Sequence, residues 1–167
     1  MVFLLTTIGT GGFFAWYSYI APLITEVAGH DPAVVSYAMI LAGTGMFCGN
    51  FIGAKLAEKM QPIYAVAVAL GGMAIMLALN TYLAHSQVWV LVMTFSIGVI
   101  AFCVSTPIQM AMINSAKGSE MLGSSLNQSA FNMGNASGAY FAGLPIAAGF
   151  GFTSADWVGG AMALSGV

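Results

Sequence analysis

The chain has 167 residues, of which 59% are hydrophobic and only 5% charged, with a net charge of −2. Ordinary soluble domains carry about 25% charged residues, and a chain this short could not hide so much apolar surface from water, so a water-soluble fold is excluded. Three lysines and no arginine leave no basic patch for a phosphate backbone, which excludes nucleic acid as a partner.

Five apolar runs, residues 3–27, 34–57, 63–84, 88–113 and 121–150, are almost free of charge. A helix rises about 1.5 Å per residue, so roughly 20 apolar residues cross a hydrocarbon core of about 30 Å. Each run is long enough to span, and a sixth, 157–167, supplies about half a crossing. The period-2 alternation of membrane β-strands is absent, so the fold class is an all-α membrane protein. The N-terminus has no basic leader and no Ala-x-Ala-like site, so the first run reads as a retained span rather than a signal peptide.

In the first run Trp16 falls near mid-membrane rather than at an interface, beside Tyr17 and Tyr19. It reads either as a stacking platform for a solute or as a packed aromatic. Gly29-His30-Asp31-Pro32 then reverses the chain, with Asp31 as a cap and Pro32 at the first helical position. The second run carries Gly45, Gly49 and Gly53 at four-residue spacing, which lets a neighbouring backbone approach. Asn50 lies within it, and Lys55, Glu58 and Lys59 follow at its end. Pro62 starts the third run, and His85-Ser86-Gln87 forms the next tight reversal. In the fourth, Pro107 removes a helix hydrogen bond and predicts a kink, with Ser105, Thr106 and Gln109 around it. Cys48 and Cys103, both inside runs, read as small packing residues rather than disulfide partners or metal ligands.

The fifth run is the most polar. Ser124, Gln128 and Asn132 fall four apart, Asn135 continues the stripe, Asn127 lies beside it, and Gly134 and Gly138 form a small face next door. Amides donate and accept, which suits sugar hydroxyls and interhelical hydrogen bonding equally. No acid, histidine or arginine falls near the midplane, and Asp156 is placed in the last loop. Nothing forms a nucleophile with its base, a phosphate loop or a metal cluster, so no enzyme, cofactor or metal is expected.

Short loops force sequential helices to lie antiparallel. Lys55, Lys59 and Lys117 then share one side, while His30, Asp31, His85 and Asp156 share the other. The positive-inside rule puts the N-terminus and the lysines in the cytoplasm, with Tyr82, Trp89 and Trp157 in the outer aromatic belt.

The glycine-rich end of the second run, through Asn50 into Lys55, Glu58 and Lys59, resembles the second copy of the loop motif of the major facilitator superfamily. Lys55 and Glu58 depart from the best copies of that motif, which carry Gly or Arg and Asp there. Ser119-Glu120-Met121-Leu122-Gly123, Gln128 to Gly134, Gly138-Ala139-Tyr140 and Phe14 to Tyr19 are similar to the C-terminal half of bacterial sugar-efflux and arabinose-efflux-type permeases, in the twelve-helix drug:proton antiporter group. The resemblance implies a six-helix C-terminal half-bundle, its last helix truncated and its N-terminal six-helix half absent, in a bacterial inner membrane. It implies alternating-access efflux of a sugar or related small solute, with proton coupling through a carboxylate in the missing half. A multidrug permease of the same superfamily is the alternative, and a non-transporting scaffold or a channel subunit remains open. The implied partners are the missing half, the solute and the bilayer. Trp16, Tyr17, Gln109, Asn127, Gln128 and Asn132 are the candidates for the solute cavity. Gly45, Gly49, Asn50, Gly53, Lys55, Glu58 and Lys59, with Gly134 and Gly138, are the candidates for packing and gating, the second helix being expected at the seam between the halves.

Overall fold

The computed structural model describes residues 2–116 and 118–167; Lys117, which contributed to the expected orientation, lies outside them. The elements in order are α1 (Val2–Tyr17), α2 (Ile20–Pro22), a π-helical turn (Leu23–Val27), α3 (Ala33–Lys59), α4 (Pro62–Leu83), α5 (Gln87–Cys103), α6 (Ser105–Ser115), α7 (Glu120–Ala147) and α8 (Ser154–Ser165). No strand occurs among the described residues. Ala33–Lys59, Pro62–Leu83 and Gln87–Ser115 are long and apolar enough to cross a membrane by length and composition. The other two full-length runs differ for separate reasons. The first is interrupted, leaving α1 with 16 residues. α7 has 28 residues, but its serines and amides make it less apolar than the other three.

Both interruptions trace to proline. Proline has no N–H for the carbonyl four residues back, so Pro22 frees Ser18 and Pro107 frees Cys103. α1 ends at Tyr17, where Tyr19 N–H turns to the Trp16 carbonyl at 3.1 Å. α5 ends at Cys103 and α6 resumes at Ser105. The second break matches the expected kink; the first was not anticipated.

The two breaks belong to an internal repeat. Pro22 and Pro107, Gly49 and Gly134, and Gly53 and Gly138 are each separated by 85 positions. The buried residues of α3 are Ala38, Ala42, Gly45, Gly49, Gly53 and Ala57. Those of α7 are Gly123, Asn127, Ala130, Gly134, Gly138 and Ala142, at the same spacing. Packing repeats as well, since α3 lies against α5 as α7 lies against α1. Each copy contributes three helical segments, α1–α2, α3 and α4 in the first and α5–α6, α7 and α8 in the second; an odd number fits the inverted-repeat pattern of secondary transporters.

Close backbone approach holds these pairs. Lipid supplies no hydrophobic drive between helices, so van der Waals contact must do so. A Cβ at Gly45 or Gly49 would strike the Phe95 or Val99 carbonyl, and one at Gly53 would lie 2.5 Å from the Cys103 carbonyl. That last carbonyl is the one Pro107 leaves free. A Cβ at Gly138 would meet the Gly11 carbonyl, one at Gly134 would lie 2.5 Å from the Thr10 hydroxyl, and those at Gly12 and Gly159 would each strike the other's carbonyl, seating α1 between α7 and α8. For Gly45, Gly49 and Gly53, expected as a packing face at the seam between halves, only the partner differs. Their face packs inside this bundle, against α5, and does not line a seam toward another half.

Large side chains divide between a tight interior, with Leu23, Leu70, Leu77 and Ile97 buried, and an apolar outside that includes Leu4, Ile40, Phe51, Val68, Ile75 and Val88. Such a surface requires lipid or another protein against it. Asp31 caps the start of α3 as expected, its Oδ1 accepting the Ala33 N–H at 2.8 Å, and Pro62 occupies the first turn of α4. Pro32 sits just before the first residue of α3 rather than within it.

Candidate functional site

The α1–α7 contact decides which way α7 turns. With Gly134, Gly138 and Ala142 pressed toward the bundle, the residues a half-turn away point out of it. Ser124, Gln128, Asn132 and Asn135 are all exposed. Their stripe is therefore not the glue between α7 and its neighbours here, and its amides are free to meet a solute or another protein surface. Among the described residues, the Ser125 and Ser129 hydroxyls donate within their own helix, to the Met121 and Ser125 carbonyls. Gln109 is exposed on α6, which packs beside α7.

Asn127 separates from this group. It lies on the packed face of α7, 8% exposed, and its Oδ1 has no hydrogen-bond partner among the described residues. Its assignment to the solute-facing surface is corrected by the helix rotation that buries Gly123 and Gly134. Trp16 is corrected too: at 1% exposure it is a packed aromatic and offers no open ring face in this structure. Its neighbour Tyr17 is half-buried, stacked on Phe13 with ring centres 5.2 Å apart. In the loop region Asn50, Lys55, Glu58 and Lys59 are exposed, whereas Gly45, Gly49 and Gly53 are buried.

The structure also shows what the sequence reading missed. A cavity of about 50 Å³ lies between α1, α4, the α5–α6 break and α7, lined by Phe13, Phe14, Phe102 and Phe131 with Thr10 and Ser105. Above the first break, Tyr19 Oη donates to the Ala139 carbonyl at 3.2 Å, tying the interrupted span to α7. Asp156 is not in a loop. It is the third residue of α8, fully buried, and accepts a hydrogen bond from Asn80 Nδ2 at 3.0 Å. The helix start at Ser154 was the missing signal: Thr153-Ser154-Ala155-Asp156 reads as a loop by composition, yet its acid belongs to the first helical turn.

Comparison with known proteins places these features. The inner membrane transport protein YdhP of Escherichia coli is 34% identical over 160 residues, covering 96% of this chain and 41% of its own length. The MFS-type transporter YtbD of Bacillus subtilis is 30% identical over 171 residues, covering 100% of this chain and 43% of its own. The chain belongs to the major facilitator superfamily. A further relative, named a probable sugar efflux transporter, from Helicobacter acinonychis, is 26% identical over 167 residues, covering 98% of this chain and 41% of its own. No family model matches. The chain spans about two fifths of the length of these relatives. An inverted repeat of three spans is the unit nested within each six-helix half of that fold, which accounts for the 85-residue offset between Pro22 and Pro107.

Proposed function

We propose that the chain is the C-terminal half of a secondary transporter that exports sugars or related small neutral solutes across the bacterial inner membrane. The mechanism is alternating access: a midplane site between two six-helix halves is exposed to each side in turn as the halves rock. Proton coupling belongs to the same reading. The observation that carries it is the exposed amide stripe of α7, where Gln128 and Asn132 present donors and acceptors that their own bundle leaves unused. The relative named a sugar efflux transporter supports a hydroxyl-rich solute. The phenylalanine-lined cavity beside the α5–α6 break favours a second reading, a hydrophobic drug as the solute.

In the complete transporter, Gln128→Ala and Asn132→Ala should each weaken solute handling about two- to tenfold, the effect of a lost hydrogen bond of roughly 0.5–1.5 kcal/mol. Asn135→Ala should do less, lying further along the helix from the cytoplasmic end. Transport by all three variants is measured in everted vesicles beside protein abundance. Unchanged constants for Gln128→Ala and Asn132→Ala at normal abundance would assign the stripe to contact with the other half.

Orientation has its own check. Lys59 and His85 are both exposed, at opposite ends of α4. A cysteine at Lys59 should react with an impermeant thiol reagent only from the cytoplasm, and one at His85 only from outside. Reaction of both from one side would sink the topology.

A further inference from the structure

Asp156 and Asn80 meet where the last helix of each repeat, α8 and α4, pack together. Both side chains are closed off from solvent, at 0% and 1% exposure. One contact joins them, Asn80 Nδ2 to Asp156 Oδ2 at 3.0 Å. The opposite atoms, Asp156 Oδ1 and Asn80 Oδ1, are both acceptors, both buried, and both without a partner among the described residues. Two orphaned acceptors on one bonded pair are an uncommon cost, since each buried polar group without its hydrogen bond loses about 1–3 kcal/mol.

Charge sharpens the problem. α8 packs against α1, α4 and α7, and none of these four helices carries a lysine, arginine or histidine. Their other ionisable groups are Tyr17, Tyr64, Tyr82, Tyr140 and Glu120, with Glu120 at the far end of α7. His85, in the turn after α4, is exposed. A bare carboxylate would have no counter-charge in a setting where an unpaired buried charge is among the most costly groups a protein can hold.

A single proton answers both deficits. We propose that Asp156 and Asn80 form a proton-binding site: a proton taken from solvent rests on Asp156 Oδ1 and is donated to Asn80 Oδ1, closing a two-bond amide–carboxyl ring. The carboxyl becomes neutral and both orphaned oxygens become bonded. A cavity of about 170 Å³ runs beside the pair, lined by Ala74, Ala78, Asp156, Trp157, Gly160 and Leu164. Asp156 is the one ionisable group in that lining. The site clasps α8 to α4 at the end where α4 finishes and α8 begins. It does not depend on which solute is moved, and it puts a membrane-embedded acid in the half expected to lack one.

The test is infrared spectroscopy of the complete transporter reconstituted in phosphatidylcholine vesicles, titrated through neutral pH. In the carbonyl absorption of un-ionised carboxyl groups at neutral pH, one component is expected to be lost in Asp156→Asn and shifted in Asn80→Ala, where the acceptor is gone. Asp156→Asn should fold to wild-type abundance and thermal stability, because its amide can donate to Asn80 Oδ1 and accept from Nδ2 without a proton. A wild-type carbonyl absorption that does not differ from that of Asp156→Asn, or an Asp156→Asn protein that fails to fold, would each overturn the proposal.

Discussion

Replacing Gly49 with leucine is expected to collapse the protein's abundance, while the same change at Gly71 leaves it near normal. A side chain at Gly49 begins inside the space of the Val99 carbonyl, and the next contact is the Phe102 Cβ at 3.1 Å. Backbone cannot rotate away as a side-chain tip can, so α3 must separate from α5 along the whole stripe. Overpacking costs typically 1–3 kcal/mol and occasionally more, and a leucine driven onto backbone belongs at or above about 3 kcal/mol. That is roughly two orders of magnitude in the folded population. Even alanine should be damaging, since its Cβ is the clashing atom. At Gly71 no atom lies within 4 Å of the added Cβ, and removing a helical glycine gains about 0.5–1 kcal/mol. Gly72 falls between, its nearest neighbour being the movable Ile100 Cδ1 at 3.1 Å. Abundance in membranes and thermal unfolding in detergent read the series directly. Equal stability of Gly49→Leu and Gly71→Leu would show that the glycine face does not hold α3 to α5.

Asn80→Leu is expected to destabilise the protein by about 1–3 kcal/mol, because it removes the one hydrogen bond that the fully buried Asp156 carboxyl makes among the described residues. The companion change Asp156→Leu should cost a similar amount, leaving the Asn80 amide stranded. The double variant should recover much of the loss, since replacing both partners by apolar groups of like shape is close to neutral. Unfolding by a denaturing detergent, measured on both single variants and the double, gives the coupling as a double-mutant cycle. Strictly additive losses would show that the two side chains do not act together. Asn132→Leu, on the exposed face of α7, is the control and should alter stability little.

Against these expectations, the division between sequence and structure is specific. Apolar length by itself determined that the chain is helical and membrane-embedded, because lipid offers no partner for a backbone that is not internally bonded. Punctuation located the turns at Gly29–Pro32 and His85–Gln87 within a residue or two of where the helices end, and put Pro62 at the start of α4. The resemblance carried by Gly45 to Lys59 and by Gln128 to Gly134 led to the same superfamily as YdhP and YtbD. Two signals were present and went unread. Pro22 and Pro107 mark the same helix position in two copies, and the spacing from Ala38 to Ala57 returns from Gly123 to Ala142.

What only the tertiary structure decided was direction. A four-residue stripe defines a helix face but not the neighbour it meets, so Gly49 could have faced another half and instead faces Val99. The same rotation turned Asn127 inward and left Gln128 and Asn132 outside, although they are neighbours in sequence. Trp16 is closed off as a member of a core that also draws on helices far along the chain, such as Leu77 and Ile108, which no local pattern around it encodes. Asp156 was misplaced for the same reason: its composition says loop, and only the approach of α4, 76 residues earlier, makes it a buried partner of Asn80. In lipid, apolarity cannot say which face is inside, because both faces of a helix are apolar. Helix rotation is set by where backbones can touch, and that requires two helices at once.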